Sequence, residues 1–277
     1  MPLVIDRLGP RDLDAALRLS TQAGWNQTGA DWQRLFDLSP EGCLAGRLDG
    51  TLVATATVAS FDRSAHWIGM VLVDGAMRGR GFGSTMLSRV LDLARSRGGG
   101  AIGLDATDLG RPVYLKLGFT DVEPIDRWAG VLTATGPADG LEMIDRSNFD
   151  EVASLDRTAC GADRSTLLLH LMHEPGVVGV VARGTGFAFL RPGRTQAHVG
   201  PMVASEDGVC SAMLNRLAGF SGTAPVLLDA LRTPSAEAVL RTHGLAIARR
   251  LTRMTLDRPQ RMLMGEAVRA AVSFEWG

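Results

Sequence analysis

Segment 78–83, with the sequence RGRGFG, carries residue types that suit a phosphate-bearing ligand. It follows an apolar run that ends at Val73 and precedes a helical pattern that begins at Gly83. Glycine lets the backbone approach a ligand closely, and the free N–H groups at the start of a helix attract anions. Arg78 and Arg80 add positive charge. The segment is therefore predicted to bind a pyrophosphate group.

Two widespread phosphate-binding motifs fit this segment less well. A dinucleotide-binding fingerprint needs a third glycine three residues after the second, and Ser84 stands at that position. A Walker A loop ends in Gly-Lys-Ser/Thr, but the only lysine of the chain is Lys116. The segment therefore calls for a different kind of pyrophosphate site.

A second distinctive feature is Tyr114, the only tyrosine of the chain, which opens the run YLKLGF. Pro112 suits the first turn of a short helix, and Gly118 suits the position just past its end. The spacing predicts a short helix that carries Tyr114 and ends before Phe119.

Together the two segments resemble the GNAT superfamily of acyl-CoA-dependent N-acyltransferases. The signature of that family is Gln/Arg-x-x-Gly-x-Gly/Ala between a strand and a helix, and Arg78, Gly81 and Gly83 fill it. A second family element, a short helix with Tyr followed by Gly-Phe, is matched from Tyr114 onward. The resemblance covers roughly residues 3–131, and in the second half only a strand and the last helix.

The resemblance implies acetyl-CoA as co-substrate and no metal. In such a fold the backbone of a central strand pairs with the pantetheine arm, an N–H there polarises the thioester carbonyl, and the glycine-rich turn holds the pyrophosphate. The implied cofactor-binding residues are Val71, Leu72, Val73, Arg78, Gly79, Arg80, Gly81, Phe82, Gly83 and Ser84. Tyr114 would protonate the departing CoA thiolate, as a general acid. Thr107 stands where many members carry Asn.

The general base is less evident from the sequence. Members with a glutamate on the central strand have a visible base, but the strand predicted at 67–73 contains no carboxylate. Asp105, at the end of the next strand, is the nearest candidate, and a capping or turn aspartate is the alternative interpretation. Deprotonation through ordered water, or arrival of an amine that is already neutral, stays open.

The acceptor is expected to bind beside the first helix. The loop at 21–27 contains Trp25 and Asn26, and a tryptophan in a glycine-containing loop suits a binding surface. Trp128 follows the last motif and is predicted to form the opposite wall. The alternative is that both tryptophans pack an interface between domains.

The elements that position these residues follow from the pattern of apolar residues. The first half predicts a strand, two helices, three strands, a helix, a strand, a helix and a strand. Asp49-Gly50 marks a hairpin turn, and Thr28 with Asp31 marks the start of the second helix. The fold class is therefore mixed α/β, with a linker at 133–140 after the last strand.

The second half repeats parts of the first. His66-Trp67-Ile68-Gly69-Met70-Val71 is echoed from His198 to Val203, and Leu104-Asp105-Ala106 is echoed by Leu228-Asp229-Ala230. The chain is predicted to contain two GNAT-like domains, each a mixed central sheet flanked by helices: a working one at 1–134 and a degenerate one at 135–277. Segment 204–209 has one glycine, two acids and no arginine, so it would repel a pyrophosphate.

Composition limits the partners of the protein. The formal charge is −1 and no apolar run approaches the ~20 residues that span a bilayer, so neither a nucleic acid nor a membrane is expected. The cysteines Cys43, Cys160 and Cys210 show no metal-type spacing and suit reduced, buried thiols. A cytoplasmic monomer or homodimer is the expectation.

The sequence thus predicts an N-acetyltransferase that transfers the acetyl group of acetyl-CoA to a primary amine of a small molecule by direct attack. One alternative is a protein or peptide N-acetyltransferase, which needs an open acceptor groove. Another is a non-catalytic acyl-CoA sensor, which the turn at 78–83 together with Tyr114 argues against.

Overall fold

The computed structural model describes residues 2–62, 64–257 and 262–277. The strands are β1 (Val4–Arg7), β2 (Cys43–Leu48), β3 (Thr51–Phe61), β4 (Ala65–Val73), β5 (Ala101–Ala106), β6 (Phe119–Val131), β7 (Leu141–Met143), β8 (Val178–Ala182), β9 (Gly186–Arg191), β10 (Ala197–Ala204), β11 (Pro225–Leu231), β12 (Ala246–Leu256) and β13 (Val268–Ala270). The helices are α1 (Leu13–Gln22), α2 (Gly29–Leu38), α3 (Phe82–Ser96), α4 (Arg111–Lys116), α5 (Phe149–Cys160), α6 (Ser165–His173), α7 (Asp207–Ser221) and α8 (Pro234–Thr242).

The order of elements in the first half is the predicted one, and local signals set several boundaries. Thr28 caps α2 by accepting a hydrogen bond from the Asp31 backbone N–H, while the Asp31 side chain accepts one from the backbone N–H of Thr28. Asp49 and Gly50 both have positive φ, as a two-residue hairpin turn requires. Gly118 follows α4 in a left-handed conformation that favours glycine. These predictions are confirmed.

The strands of the described residues form a single sheet that runs through both halves of the chain. Its order is β1-β2-β3-β4-β5-β12-β6-β11-β10-β9-β8-β7, and β13 pairs with β10 outside this order. The last long strand of each half therefore lies in the other half's region of the sheet. β12 pairs with β5, and β6 pairs with β11, while β6 and β12 pair with each other.

Two buried ion pairs fix this exchange of strands. Asp105 on β5 lies opposite Arg253 on β12 and accepts two hydrogen bonds from its guanidinium, at 2.8 and 2.9 Å. Asp229 on β11 lies opposite Arg127 on β6 and accepts two at 2.7 Å. Both aspartate side chains are fully buried, so each needs its arginine to offset the free-energy cost of removing a charged carboxylate from water. Each half thus supplies the counter-ion for an aspartate of the other.

Three apolar clusters pack against the sheet. One lies between α3 and the first-half strands and includes Val90, and one lies under α7 and includes Leu214. The third is shared, because it joins Trp32 of α2 to Leu168 of α6 and to Trp276 near the other end of the chain. The two halves therefore bury a common core.

Two composition-based expectations can be compared with the fold. The three cysteines are free and buried, as predicted. In the described part of the chain, no helix combines the length and apolar character needed to cross a membrane. The boundary between 1–134 and 135–277 stays a prediction, and the paired strands on either side of it belong to one sheet.

We expect Asp229→Asn to lower the free energy of unfolding by about 3–5 kcal/mol, because it leaves the charge of Arg127 buried without its partner. The measurement is urea unfolding followed by fluorescence. Asp121→Asn is the matched control, since Asp121 pairs with Arg111 on the surface and should change stability little. Equal stability of the two variants would contradict a structural role for the buried pair.

Candidate active site

The cavity of interest opens where two neighbouring strands separate. β4 and β5 run parallel and pair only from Ala65 to Trp67 on β4 and from Ala101 to Gly103 on β5. Beyond these residues the strands diverge, and a cavity of about 620 Å³ lies between them. Val71, Leu72 and Val73, which the resemblance predicts to pair with a ligand, line it.

An irregularity in β4 shapes this part of the cavity. The register between β3 and β4 shifts between Thr55 and Thr57, and Met70 adopts a left-handed conformation with φ of 49°. The Thr55 hydroxyl donates to the Met70 carbonyl at 2.8 Å and holds the irregularity in place. Such a bulge bends the strand. On the cavity side, β4 beyond Trp67 has no strand partner because its pairing with β5 ends there.

The glycine-rich turn lies at one end of the cavity. Gly79 and Gly81 have φ of 76° and 81°, and Gly81 caps α3, so both positions favour glycine. The first turn of α3 carries N–H groups that have no partner within the helix. Gly79, Gly81, Phe82, Gly83 and Ser84 line the cavity together with Arg78, whose side chain donates to the Val73 carbonyl.

Arg80 departs from the predicted arrangement. Its guanidinium lies over the Phe82 ring, 4.8 Å from the ring centroid, and contacts the Met77 sulfur. The side chain is exposed and lies outside the cavity lining. Arg80 therefore contributes charge at the mouth, while Arg78 and the helix N–H groups border the cavity itself.

Tyr114 lies on α4 and lines the same cavity. Its ring packs edge-on against Phe119, with centroids 5.9 Å apart. Burial raises the pKa of Tyr114 to about 12, so the hydroxyl keeps its proton at neutral pH. Among the described residues its hydroxyl has no hydrogen-bond partner. Thr107 accepts a hydrogen bond from the Gly110 backbone N–H and so shapes the loop before α4.

Asp105 borders the cavity but is engaged elsewhere. Both of its carboxylate oxygens accept hydrogen bonds from Arg253, and the pair is excluded from solvent. Burial raises the pKa of Asp105, and Arg253 opposes that shift. The position is neither a helix cap nor a turn, so the geometry gives Asp105 a structural partner and no carboxylate oxygen that is free of Arg253.

The predicted acceptor loop divides between two tasks. Trp25 lines the cavity. Asn26 does not line it. Its side-chain oxygen Oδ1 accepts a hydrogen bond from the backbone N–H of Thr195, and its side-chain nitrogen Nδ2 donates one to the backbone carbonyl of Gln196 at 2.8 Å. The prediction of Asn26 as a substrate-binding residue is corrected, because its polar atoms are used in joining the loop to the second half. Gln27, not predicted, lines the cavity instead.

Trp128 is also placed differently from the prediction. It is 1% exposed and packs in the apolar cluster under α7, among residues of the second half. The reason is the exchange of strands, which carries β6 next to β11 and directs Trp128 into the core of the other half. Trp128 therefore forms no wall of the cavity, and the interface interpretation holds for this residue.

The second half contributes four cavity-lining residues that the sequence reasoning missed. Arg249 and Leu251 come from β12, and Phe274 and Glu275 come from segment 262–277, which we call the return segment. Arg127, on the exchanged strand β6, also borders the cavity. None has a local motif, and their places follow only from the long-range strand pairing.

The corresponding cleft of the second half is filled by the return segment. β10 is the equivalent of β4, and β13 pairs antiparallel with β10 at Met202 and Val203. The sequence repeat aligns these residues with Met70 and Val71, which border the cavity of the first half. The protein's own strand thus lies where the resemblance places the pantetheine arm.

The start of α7 is closed in the same way. Arg269 of the return segment donates to the Ala204 carbonyl at 3.1 Å and to the Asp207 carboxylate at 2.9 Å. Asp207 also accepts from the Ser235 hydroxyl at 2.7 Å. A carboxylate and its own arginine therefore occupy the helix start that would face a pyrophosphate.

Comparisons with known proteins agree with this geometry. A family model described as "Acetyltransferase (GNAT) family" matches residues 13–119, and one described as "Acetyltransferase (GNAT) domain" matches residues 152–266. The chain belongs to the GNAT superfamily. The two matches confirm the tandem arrangement and the prediction of a GNAT-type acyltransferase.

Relatives of this GNAT protein support the same assignment. Holothin acyltransferase of Pseudoalteromonas sp. (strain SANK 73390) is 26% identical over 194 residues, which cover 68% of this chain and 65% of that protein. The match therefore spans less than two thirds of the relative's length.

Solved structures show the fold. A Pyrococcus horikoshii protein described as a candidate acetyltransferase superimposes with a TM-score of 0.86 at 20% identity, covering 99% of this chain and 96% of its own. A GCN5-related N-acetyltransferase of Sphaerobacter thermophilus gives 0.68 at 14% identity, covering 99% and 98%. The predicted α/β fold with a mixed sheet flanked by helices is confirmed.

The described residues include no group of three or more His, Cys, Asp or Glu side chains placed to hold a metal ion.

We expect one acetyl-CoA molecule to bind per chain, because β13 and Arg269 fill the second cleft. Gly81→Val should weaken this binding roughly tenfold, since misplacing the N–H groups at the start of α3 costs about 1–2 kcal/mol. Gly208→Val, in the first turn of α7 of the second half, is the control and should bind normally. Isothermal titration calorimetry measures both quantities, and a stoichiometry of two would contradict the filled cleft.

Proposed function

We propose that this protein is an N-acyltransferase that transfers the acetyl group of acetyl-CoA to the primary amine of a small molecule. The observation that carries the proposal is the cleft between β4 and β5, which has an anion-binding helix start at one end and Tyr114 on its wall. The family matches and the named acyltransferase relative support the reaction class.

The donor site follows from the backbone of the first half. The pyrophosphate of acetyl-CoA would bind at the first turn of α3, where free N–H groups and Arg78 supply donors and charge. The pantetheine arm would extend along Val71, Leu72 and Val73, whose cavity-side edge has no neighbouring strand. An N–H of this edge would stabilise the oxyanion that forms at the thioester carbonyl.

The leaving group needs a proton, and Tyr114, which lines the cavity, would supply it. The Tyr114 hydroxyl is protonated at neutral pH because burial raises its pKa to about 12. A phenol suits this task, since a thiolate is a good leaving group and needs only partial proton transfer. Edge-on packing against Phe119 holds the ring.

A small acceptor fits the remaining space better than a polypeptide. The cavity of about 620 Å³ has to take both the end of the pantetheine arm and the acceptor. Trp25 from the first half and Phe274 from the return segment both border it. The second half therefore covers the side on which an extended peptide would need an open groove.

We expect Tyr114→Phe to lower kcat by about 10²–10⁴-fold, the range typical of a general acid. The change removes only the hydroxyl, so the Kd for acetyl-CoA should stay unchanged. The assay measures thiol release from acetyl-CoA in the presence of a panel of primary alkylamines and amino acid amides.

The same assay separates the alternatives. A sensor would bind acetyl-CoA and release no thiol with any acceptor, and a peptide acyltransferase would prefer peptides over free amines. Unchanged turnover of Tyr114→Phe at saturating substrates would contradict Tyr114 as the acid while leaving the transfer reaction in place.

A further inference from the structure

The carboxylates around the cavity differ in their partners. Asp105, which borders the cavity, is paired with Arg253 through two hydrogen bonds. Glu275 also borders the cavity, is 2% exposed, and forms no ion pair with any residue that the structure describes. Arg127 attracts it electrostatically, but no arginine among the described residues binds it directly as Arg253 binds Asp105.

Gln27 fixes the position of this carboxylate. Its amide nitrogen donates to Oε2 of Glu275 at 2.9 Å, a bond between residues 248 positions apart in the chain. A carboxylate only accepts hydrogen bonds, so the nitrogen of the Gln27 amide has to face it. The amide oxygen Oε1 of Gln27 and Oε1 of Glu275 are both buried and have no partner.

Two buried acceptors without donors are unusual in a folded protein. Both belong to residues that line the cavity, so a donor from the cavity would satisfy them. A ligand group that satisfies both acceptors has at least two N–H bonds. A positive charge on it would also offset the burial of the Glu275 carboxylate. A primary ammonium group has these properties, whereas a hydroxyl supplies one donor and no charge.

The return segment holds Glu275 rigidly beside β4. The Trp67 indole donates to the Phe274 carbonyl at 2.9 Å, and the Trp276 side chain is buried in the core shared by both halves. Gly69 allows the close approach, because a Cβ at that position would lie 2.9 Å from Cα of Glu275. The backbone of Glu275 therefore lies beside β4 and brings a carboxylate to the cavity from another segment, since β4 has none of its own.

We propose that Glu275 binds the ammonium group of the acceptor, together with Gln27, and acts as the general base of the transfer. The inference rests on the proposed function and adds the acceptor side of the same site. It implies that the substrate is an amine that is protonated in solution, so that it enters as a cation.

Two protons leave the acceptor nitrogen in the proposed step. Oε1 of Glu275 takes one proton from the ammonium, and the resulting neutral amine attacks the thioester carbon to form the C–N bond. The C–S bond breaks, and the thiolate takes the Tyr114 proton. The nitrogen then loses its second proton, which restores Tyr114, while Glu275 returns the first proton to water. The products are the amide, the thiol of CoA and one proton.

We expect Glu275→Gln to lower kcat/KM by about 10²–10⁴-fold with an alkylamine. The Kd for acetyl-CoA should stay unchanged, because the donor site does not include Glu275. The substrates are acetyl-CoA and the alkylamine of the panel that the wild type turns over fastest. Thermal melting checks that the variant is as stable as the wild type. Glu174→Gln is the matched control: Glu174 pairs with Arg34 away from the cavity, and this variant should keep its turnover.

A base has two signatures that a structural residue lacks. With an arylamine, which is neutral at pH 7, Glu275→Gln should lose much less activity than with an alkylamine. With an alkylamine its rate should rise tenfold per pH unit toward the amine pKa of about 10, because the free amine then forms without help. Arg127, Arg249 and Asp105 are charged residues that also border the cavity. The variant retains all three, so a difference between its pH profile and that of the wild type comes from Glu275.

The possible outcomes separate the two proposals. Turnover of Glu275→Gln equal to the wild type with alkylamines would overturn the role of Glu275 and leave the transfer reaction established. An equal loss with alkylamines and arylamines would also overturn it. If Glu275→Gln melts at a lower temperature than the wild type, Glu275→Asp replaces it. That variant keeps a carboxylate and should retain the pH profile that the wild type shows with an alkylamine. Absence of thiol release by the wild type would contradict the proposed function itself.

Discussion

The structure depends on the need to neutralise two aspartates that lie in the middle of a buried sheet. Asp105 and Asp229 occupy equivalent places in the two halves, and each finds its arginine on the strand that the other half contributes. Leaving either charge unpaired would cost several kcal/mol, so the exchange of β6 and β12 is fixed in register as well as in place. This pairing turns two similar halves into one continuous sheet.

The exchange has consequences for the two clefts, because it brings the second half next to the first-half cavity. The return segment pairs with β10 at one end, where β13 covers the edge that a pantetheine arm would need. At its other end it passes beside β4 and brings Phe274 and Glu275 to the cavity. The same short stretch of chain closes one cleft and adds side chains to the other.

The two halves have therefore diverged in complementary ways. The first keeps the glycine-rich turn at 78–83 and the Tyr114 helix but has no carboxylate on β4. The second has lost the turn, and the start of α7 carries Asp207 bound to Arg269. The second copy thus lines the cavity of the first through Arg249, Leu251, Phe274 and Glu275, while β13 lies along β10 in its own cleft.

Local chemistry in the sequence determined the order of elements, the turn around Gly81 and the helix of Tyr114. Positive φ values, helix starts and apolar periodicity depend on neighbouring residues, so they are visible without the fold. The partner of Asp105, the burial of Trp128 and the position of Glu275 depend on contacts between segments that are far apart in the chain, which leave no local pattern. Those features were decided by the tertiary structure, because only the pairing of exchanged strands brings their side chains together.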